Sequence, residues 1–216
     1  MTRVGVILSG CGVYDGSEIH EATLALLFLD RAGAEIVPAA PDIETEVIDH
    51  RTRQATGEKR SVLAEAARIA RGPVRDIKEL RARALDALIF PGGFGAAKNL
   101  CDFAARGPEC AVNPEVARLV REMREAAKPM GFICIAPVVA ARLLGARVTV
   151  GGDPAMAAAI REMGGRPVTA GVGETIIDEE NRIVSTPAYM VGPTISRIAV
   201  GIEKLVSEVL RMADEG

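Results

Sequence analysis

Pro129-Met130-Gly131-Phe132-Ile133-Cys134-Ile135-Ala136-Pro137 is the stretch that decides the fold. Met130 to Cys134 is a short apolar run, as expected of a strand buried on both faces of a sheet. Small residues and Pro137 follow at once, and Val138-Val139-Ala140-Ala141-Arg142-Leu143-Leu144 reads as a helix. Cys134 therefore stands where a buried strand turns sharply into a helix. Such a turn lifts a side chain toward the positive end of the helix, which lowers a thiol pKa and exposes a nucleophile. Cys134 also reads as a small core hydrophobe, since free cysteine is among the most buried residue types. At this point both readings stand.

Working outward, Arg3 to Leu8 is a second buried strand, ending in the turn Ser9-Gly10-Cys11-Gly12. A helix follows with apolar positions at Ile19, Ala22, Leu26 and Leu29, and Gly33 ends it. Glu35 to Pro38 and Leu85 to Phe90 are further strands. Ser61 caps a helix to Ala70, and Asn113-Pro114 and Asp153-Pro154 open two more. Arg147 to Val150 reads as a strand, and residues 175–178 and 182–185 as a hairpin. A last amphipathic helix covers 193–212. Strands alternate with helices, which predicts an α/β class with a mostly parallel sheet in one domain over 1–216. Residues 41–60 are polar and predict a small hairpin added outside that sheet.

Composition narrows the function classes. Hydrophobic residues make up 49% of 216, yet only 3% are aromatic, so the core is built from aliphatic side chains. A formal net charge of −3 argues against a nucleic-acid or anionic-membrane surface. No apolar run approaches the ~20 residues of a membrane span, and the N-terminus reads as a strand instead of a signal peptide. Cysteines 11, 101, 110 and 134 form no C-x-x-C pair, and two histidines complete no zinc spacing. Neither a metal nor a disulfide is expected, and a reducing cytoplasm is.

Ligands of open parallel sheets bind beyond the carboxyl ends of the strands. Three segments arrive there: Ser9 to Glu21, Pro91 to Asn99 and Cys134 to Pro137. Thr186 to Tyr189 follows the late hairpin. Glycines 92, 93 and 95 let backbone N–H groups face a bound oxygen, as an oxyanion hole requires, and Ile135 N–H would be the second donor. A plain strand-to-loop turn explains the same glycines. Neither Gly10-Cys11-Gly12 nor Gly93-Phe94-Gly95 completes G-x-G-x-x-G, because Asp15 and Lys98 stand at the final glycine position, so no dinucleotide cofactor is expected. Glu18 reads either as part of a helix cap or as a carboxyl that exchanges protons with the Cys134 thiol. His20 is a candidate base, and His50 has no evident role.

Ile133-Cys134-Ile135-Ala136-Pro137, Phe90-Pro91-Gly92-Gly93 and Glu18 resemble the DJ-1/PfpI superfamily. Residues 9–21, 91–99 and 186–190 resemble, within it, the enhancing-lycopene-biosynthesis family of isoprenoid biosynthesis glyoxalases. The resemblance spans essentially the whole chain. It implies a flavodoxin-like three-layer sandwich of the class I glutamine amidotransferase-like type, with helices on both faces of the sheet. It also implies Cys134 on a strained elbow, a protonated Glu18 bonded to its sulfur, and a homodimer. The implied activity is a cofactor-free glyoxalase that converts glyoxal or a similar dicarbonyl to a hydroxy acid. Cys134, Glu18 and His20 would be catalytic, and Gly93 and Ile135 would form the oxyanion hole. Cys11, Tyr14, Gly92, Phe94, Asn99 and Tyr189 would line the substrate pocket. The alternative is a redox or carbonyl-stress sensor acting through oxidation of Cys134. Related amidotransferases use a Cys–His–Glu triad, and PfpI-type peptidases place histidine directly after the nucleophile. Here Ile135 follows Cys134 and no histidine follows His50, so neither of those mechanisms is expected.

Overall fold

The computed structural model describes residues 1–215; Gly216, the last residue of the expected domain, lies outside them. The chain begins β1 (Arg3–Ile7), α1 (Ile19–Arg31), β2 (Glu35–Ala40), β3 (Glu44–Asp49), β4 (Gln54–Ser61), α2 (Val62–Ala70) and β5 (Arg75–Asp76). It continues with β6 (Ala87–Phe90), α3 (Phe94–Lys98), α4 (Phe103–Arg106), α5 (Pro114–Glu125), β7 (Met130–Ile133) and α6 (Pro137–Leu144). The last third is β8 (Arg147–Val148), α7 (Pro154–Glu162), β9 (Arg166–Pro167), β10 (Ile176–Asp178), β11 (Ile183–Thr186) and α8 (Ile195–Asp214). Among the described residues, no helix is long and apolar enough to cross a membrane.

Seven strands form the central sheet in the order β10-β11-β7-β6-β1-β2-β5. All of its pairings are parallel except that of β10 with β11. Side chains alternate along each strand, so each face carries its own core. Val4, Val6, Ala87, Ile89 and Val184 pack with α1, α2 and α8. Ile7, Leu88, Phe90, Phe132 and Ile183 pack with α5, α6 and α7. The rings of Phe90 and Phe132 stack with centroids 4.6 Å apart, which ties β6 to β7 just below the elbow.

Local signals set the helix starts. Ser61, Asn113 and Asp153 each accept a backbone N–H of their own first turn, as expected of N-caps. The predicted strand at 147–150 shrinks to Arg147–Val148 and pairs with β9, outside the central sheet. The Thr149 N–H turns instead to the Ser185 hydroxyl at 3.0 Å, so the ladder stops there. β3 and β4 form the added antiparallel hairpin. It reaches over the loop after β1, where the Ile48 N–H donates to Asp15 Oδ2 at 2.8 Å.

Candidate active site

The chain steps from β1 to β2 on one side of the sheet and resumes with β6 on the other side of β1. This reversal opens a crevice at the carboxyl ends of β1 and β6, where open α/β sheets bind ligands. The loop after β1, the Gly92-Gly93 turn, the elbow after β7 and the segment after β11 converge on it.

Cys134 sits on that elbow with φ of 61°. A left-handed conformation in a residue other than glycine costs about 1–3 kcal/mol, so the surroundings must hold it. The Cys134 N–H donates to the Thr186 carbonyl at 2.9 Å, and the Ala136 N–H donates to the Ile133 carbonyl at 3.0 Å. The strand consequently ends at Ile133, one residue short of the sequence expectation. The thiol is 7% exposed and receives the backbone N–H groups of Gly93 and Ile135. The two donors expected of an oxyanion hole thus flank the sulfur itself.

The carboxyl bonded to this sulfur is that of Glu21, not Glu18. Glu18 is the N-cap of α1, and its Oε2 accepts the Glu21 N–H at 2.7 Å. Glu21 lies one turn further along and is fully buried. Its Oε2 accepts the Gly92 N–H at 3.1 Å and its Oε1 the Tyr189 N–H at 3.2 Å. A sequence signal for it existed. Glu21, Ala25, Phe28 and Leu29 follow the helical repeat and are all buried, so one carboxylate stands on the inward stripe of α1.

Burial, reinforced by the charge of Glu18, pushes the Glu21 carboxyl up to about 8; the Tyr189 and Gly92 N–H groups and the thiol only partly oppose it. Burial and then the Glu21 charge push the Cys134 thiol up as well, against the pull of the Gly93 and Ile135 N–H groups. The expected lowering of the thiol pKa at the elbow is therefore reversed, because desolvation outweighs the aligned donors. Thiol and carboxyl share one dry site and titrate as a pair.

Gly92 and Gly93 make this closeness feasible. A Cβ on Gly92 would lie 2.4 Å from Cys134 Cβ and 2.6 Å from Glu21 Oε2. Gly93 has φ of 91°, and a Cβ there would meet the Glu18 nitrogen at 2.4 Å.

A cavity of about 320 Å³ opens onto the sulfur, and Gly93, Phe94, Ile135 and Tyr189 are among its walls. The Tyr189 hydroxyl is 2.8 Å from His20 Nδ1, and the same nitrogen is 3.8 Å from Glu18 Oε1. His20 is exposed and reaches the cavity only through Tyr189.

Other expected pocket residues lie elsewhere. Cys11 faces a separate cleft of about 110 Å³ with Asp15, His50 and Glu65, under the β3–β4 hairpin. Asn99 is buried, and its Nδ2 donates to the carbonyls of Ser9 at 2.8 Å and Asp15 at 2.9 Å, so it splices two loops together. Tyr14 packs between the His50 and Phe94 rings, one layer behind the cavity wall. Among the described residues, no three His, Cys, Asp or Glu side chains converge as a metal site would require.

The strand order and the cysteine elbow define a flavodoxin-like domain of the DJ-1/PfpI, class I glutamine amidotransferase-like type. Glyoxalase III from Candida albicans superposes with a TM-score of 0.62 at 13% identity, covering 95% of this chain and 96% of its own, a likeness of fold alone. An isoprenoid biosynthesis protein with an amidotransferase-like domain from Ehrlichia chaffeensis superposes with a TM-score of 0.90 at 38% identity, covering 97% of this chain and 99% of its own. The human glutamine amidotransferase-like class 1 domain-containing protein 3, mitochondrial, is 47% identical over 222 residues, covering 97% of this chain and 83% of the human one. No protein-family model matches the chain. By these relatives, which include the 46% identical rat ES1 protein homolog, the chain belongs to the family of ES1 and glutamine amidotransferase-like class 1 domain proteins.

One expectation falls with that assignment. The human, rat and zebrafish relatives are all named mitochondrial, which overturns the cytoplasmic assignment. Unpaired cysteines report a reducing environment and do not separate compartments that share one.

Proposed function

We propose that this protein is a cofactor-free, glyoxalase-type enzyme in which Cys134 is the nucleophile and Glu21 the acid–base group. The observation that carries the reading is the strained Cys134 elbow, φ of 61°, bonded to a buried Glu21 at the floor of an open cavity. In this reading the ionised form of Glu21, whose share grows as pH rises toward about 8, takes the thiol proton as the sulfur adds to an aldehyde carbon. The oxyanion so formed rests on the Gly93 and Ile135 N–H groups and takes that proton from Glu21, which leaves a neutral hemithioacetal and returns Glu21 to its carboxylate form. Glu21 then moves a proton from the hemithioacetal carbon to the neighbouring carbonyl carbon through an enediol. Water cleaves the resulting thioester, so glyoxal plus water leaves as glycolate with no outside oxidant. Tyr189, oriented by His20, holds the second carbonyl oxygen.

An amidotransferase reading has less support despite the relatives' names, because no histidine follows His50 in this chain. A redox-sensor reading also has less support. It uses the same Cys134 sulfur but leaves the cavity of about 320 Å³ that opens onto it without a role. Glyoxal loss and glycolate formation, followed for the wild type and Cys134→Ser, test the proposal. Glycolate from the wild type alone supports it; equal consumption by both proteins, or a stable sulfinate without product, removes it.

A further inference from the structure

The cavity at Cys134 is larger and more apolar than a two-carbon dicarbonyl requires. Its volume is about 320 Å³, and beyond the reactive floor its walls are Val13, Phe94, Phe103, Ala104, Met156 and Met190. Among the described residues, no Asp, Glu, Lys or Arg lines it, and Tyr189 and Cys134 bring the polar side-chain groups. Phe94 is 50% exposed although its ring packs against Tyr14, with centroids 6.2 Å apart, and it lines the cavity. The wall is also fixed in place, since the Phe94 N–H donates to the Val13 carbonyl at 2.7 Å. Met156 and Met190 add a soft surface that adapts to bulky ligands.

From this we infer that the substrate is an α-oxoaldehyde bearing an aryl or branched-alkyl group. Its dicarbonyl end meets Cys134, Gly93 and Tyr189, and its apolar group fills the space between Phe94, Phe103 and Met156. The inference rests on the glyoxalase-type reading above and deepens it. Glyoxal has no apolar surface to set against these walls and leaves them wet. An engineered apolar cavity of about 150 Å³ is filled by benzene, so a ring and its dicarbonyl tail fit here. The missing wall charges also exclude substrates with a carboxylate or phosphate, which would be desolvated without a partner. The chemistry balances as before. The aldehyde carbon is oxidised to a carboxylate, the adjacent ketone carbon is reduced to a carbinol, and water supplies the new oxygen.

The test compares kcat/KM for phenylglyoxal and glyoxal, with Cys134→Ser run in parallel to subtract reaction with surface arginines. The expected result is mandelate formed at least about 10-fold more efficiently than glycolate, the discrimination an apolar pocket supplies. Acetophenone, which has the ring without the aldehyde, should inhibit glyoxal turnover competitively. Met156→Glu, at a half-buried wall position, should lower the phenylglyoxal-to-glyoxal ratio about 10-fold. Glyoxal turned over as efficiently as phenylglyoxal, with no acetophenone inhibition, would overturn the inference and leave the glyoxalase reading intact. Cys134-dependent turnover of neither compound would overturn both. The wild-type ratio and the inhibition decide the matter even if Met156→Glu does not fold.

Discussion

Glu18 accepts the backbone N–H of Glu21 at 2.7 Å, so the first of these carboxylates holds the end of α1 and the second is buried against the Cys134 thiol. Two glutamates one turn apart thus have separate work. Replacing Glu18 with Ala removes a cap, and the expected loss is about 1 kcal/mol of stability, read from a urea midpoint. Because the Glu18 charge also helps push Glu21 upward, the same variant should shift the pH–rate profile to lower pH.

Glu21 makes the fold pH-dependent. Its folded pKa is about 8 against an ordinary carboxyl value of 4.5, so between the two the folded state holds a proton that the unfolded chain has released. That contribution is fully present below 4.5 and is lost as pH rises through about 8, by roughly 5 kcal/mol at most. In urea titrations across this window, the wild type should lose stability with rising pH more steeply than Glu21→Gln. The glutamine variant should start lower at acid pH, because one amide group cannot accept both the Gly92 and Tyr189 N–H donors.

Gly92→Ala should be more damaging than an added methyl normally is. The new carbon would strike both Cys134 Cβ and Glu21 Oε2, at 2.4 and 2.6 Å. The expected outcome is about 1–3 kcal/mol of destabilisation and loss of most turnover, measured on protein whose circular dichroism shows a folded state.

Tyr189 contributes by two routes that one variant separates. Tyr189→Phe keeps the backbone N–H on Glu21 and removes the hydroxyl that meets His20. Turnover should fall about 100-fold with little change in thermal midpoint. His20→Ala leaves that hydroxyl in place without its partner and should cause a smaller fall.

Much of the fold was legible because backbone rules act locally. The run Met130 to Ile133 is apolar enough to require burial on both faces, and Ser61, Asn113 and Asp153 mark helix starts by their own hydrogen bonds. Cys134 was legible for the same reason, as the residue between strand and helix. Glu21 was not, because an amphipathic pattern counts apolar positions and passes over a carboxylate on the buried stripe. Cys11 and Asn99 were misplaced for a different reason. Proximity in sequence puts them at the right end of the sheet, but which side of a loop faces a cavity depends on the β3–β4 hairpin folding over it. The thiol shift was missed because its sign depends on burial depth, which spacing does not encode.

The most direct measurement is glycolate formation by Glu21→Gln beside Glu18→Gln, with the wild type as reference. The Cys134–Glu21 pairing predicts at least a 100-fold fall in turnover for Glu21→Gln and a fall of less than about 10-fold for Glu18→Gln. The reverse order, with Glu21→Gln active and Glu18→Gln inactive, would contradict the assignment of Glu21 as the acid–base group.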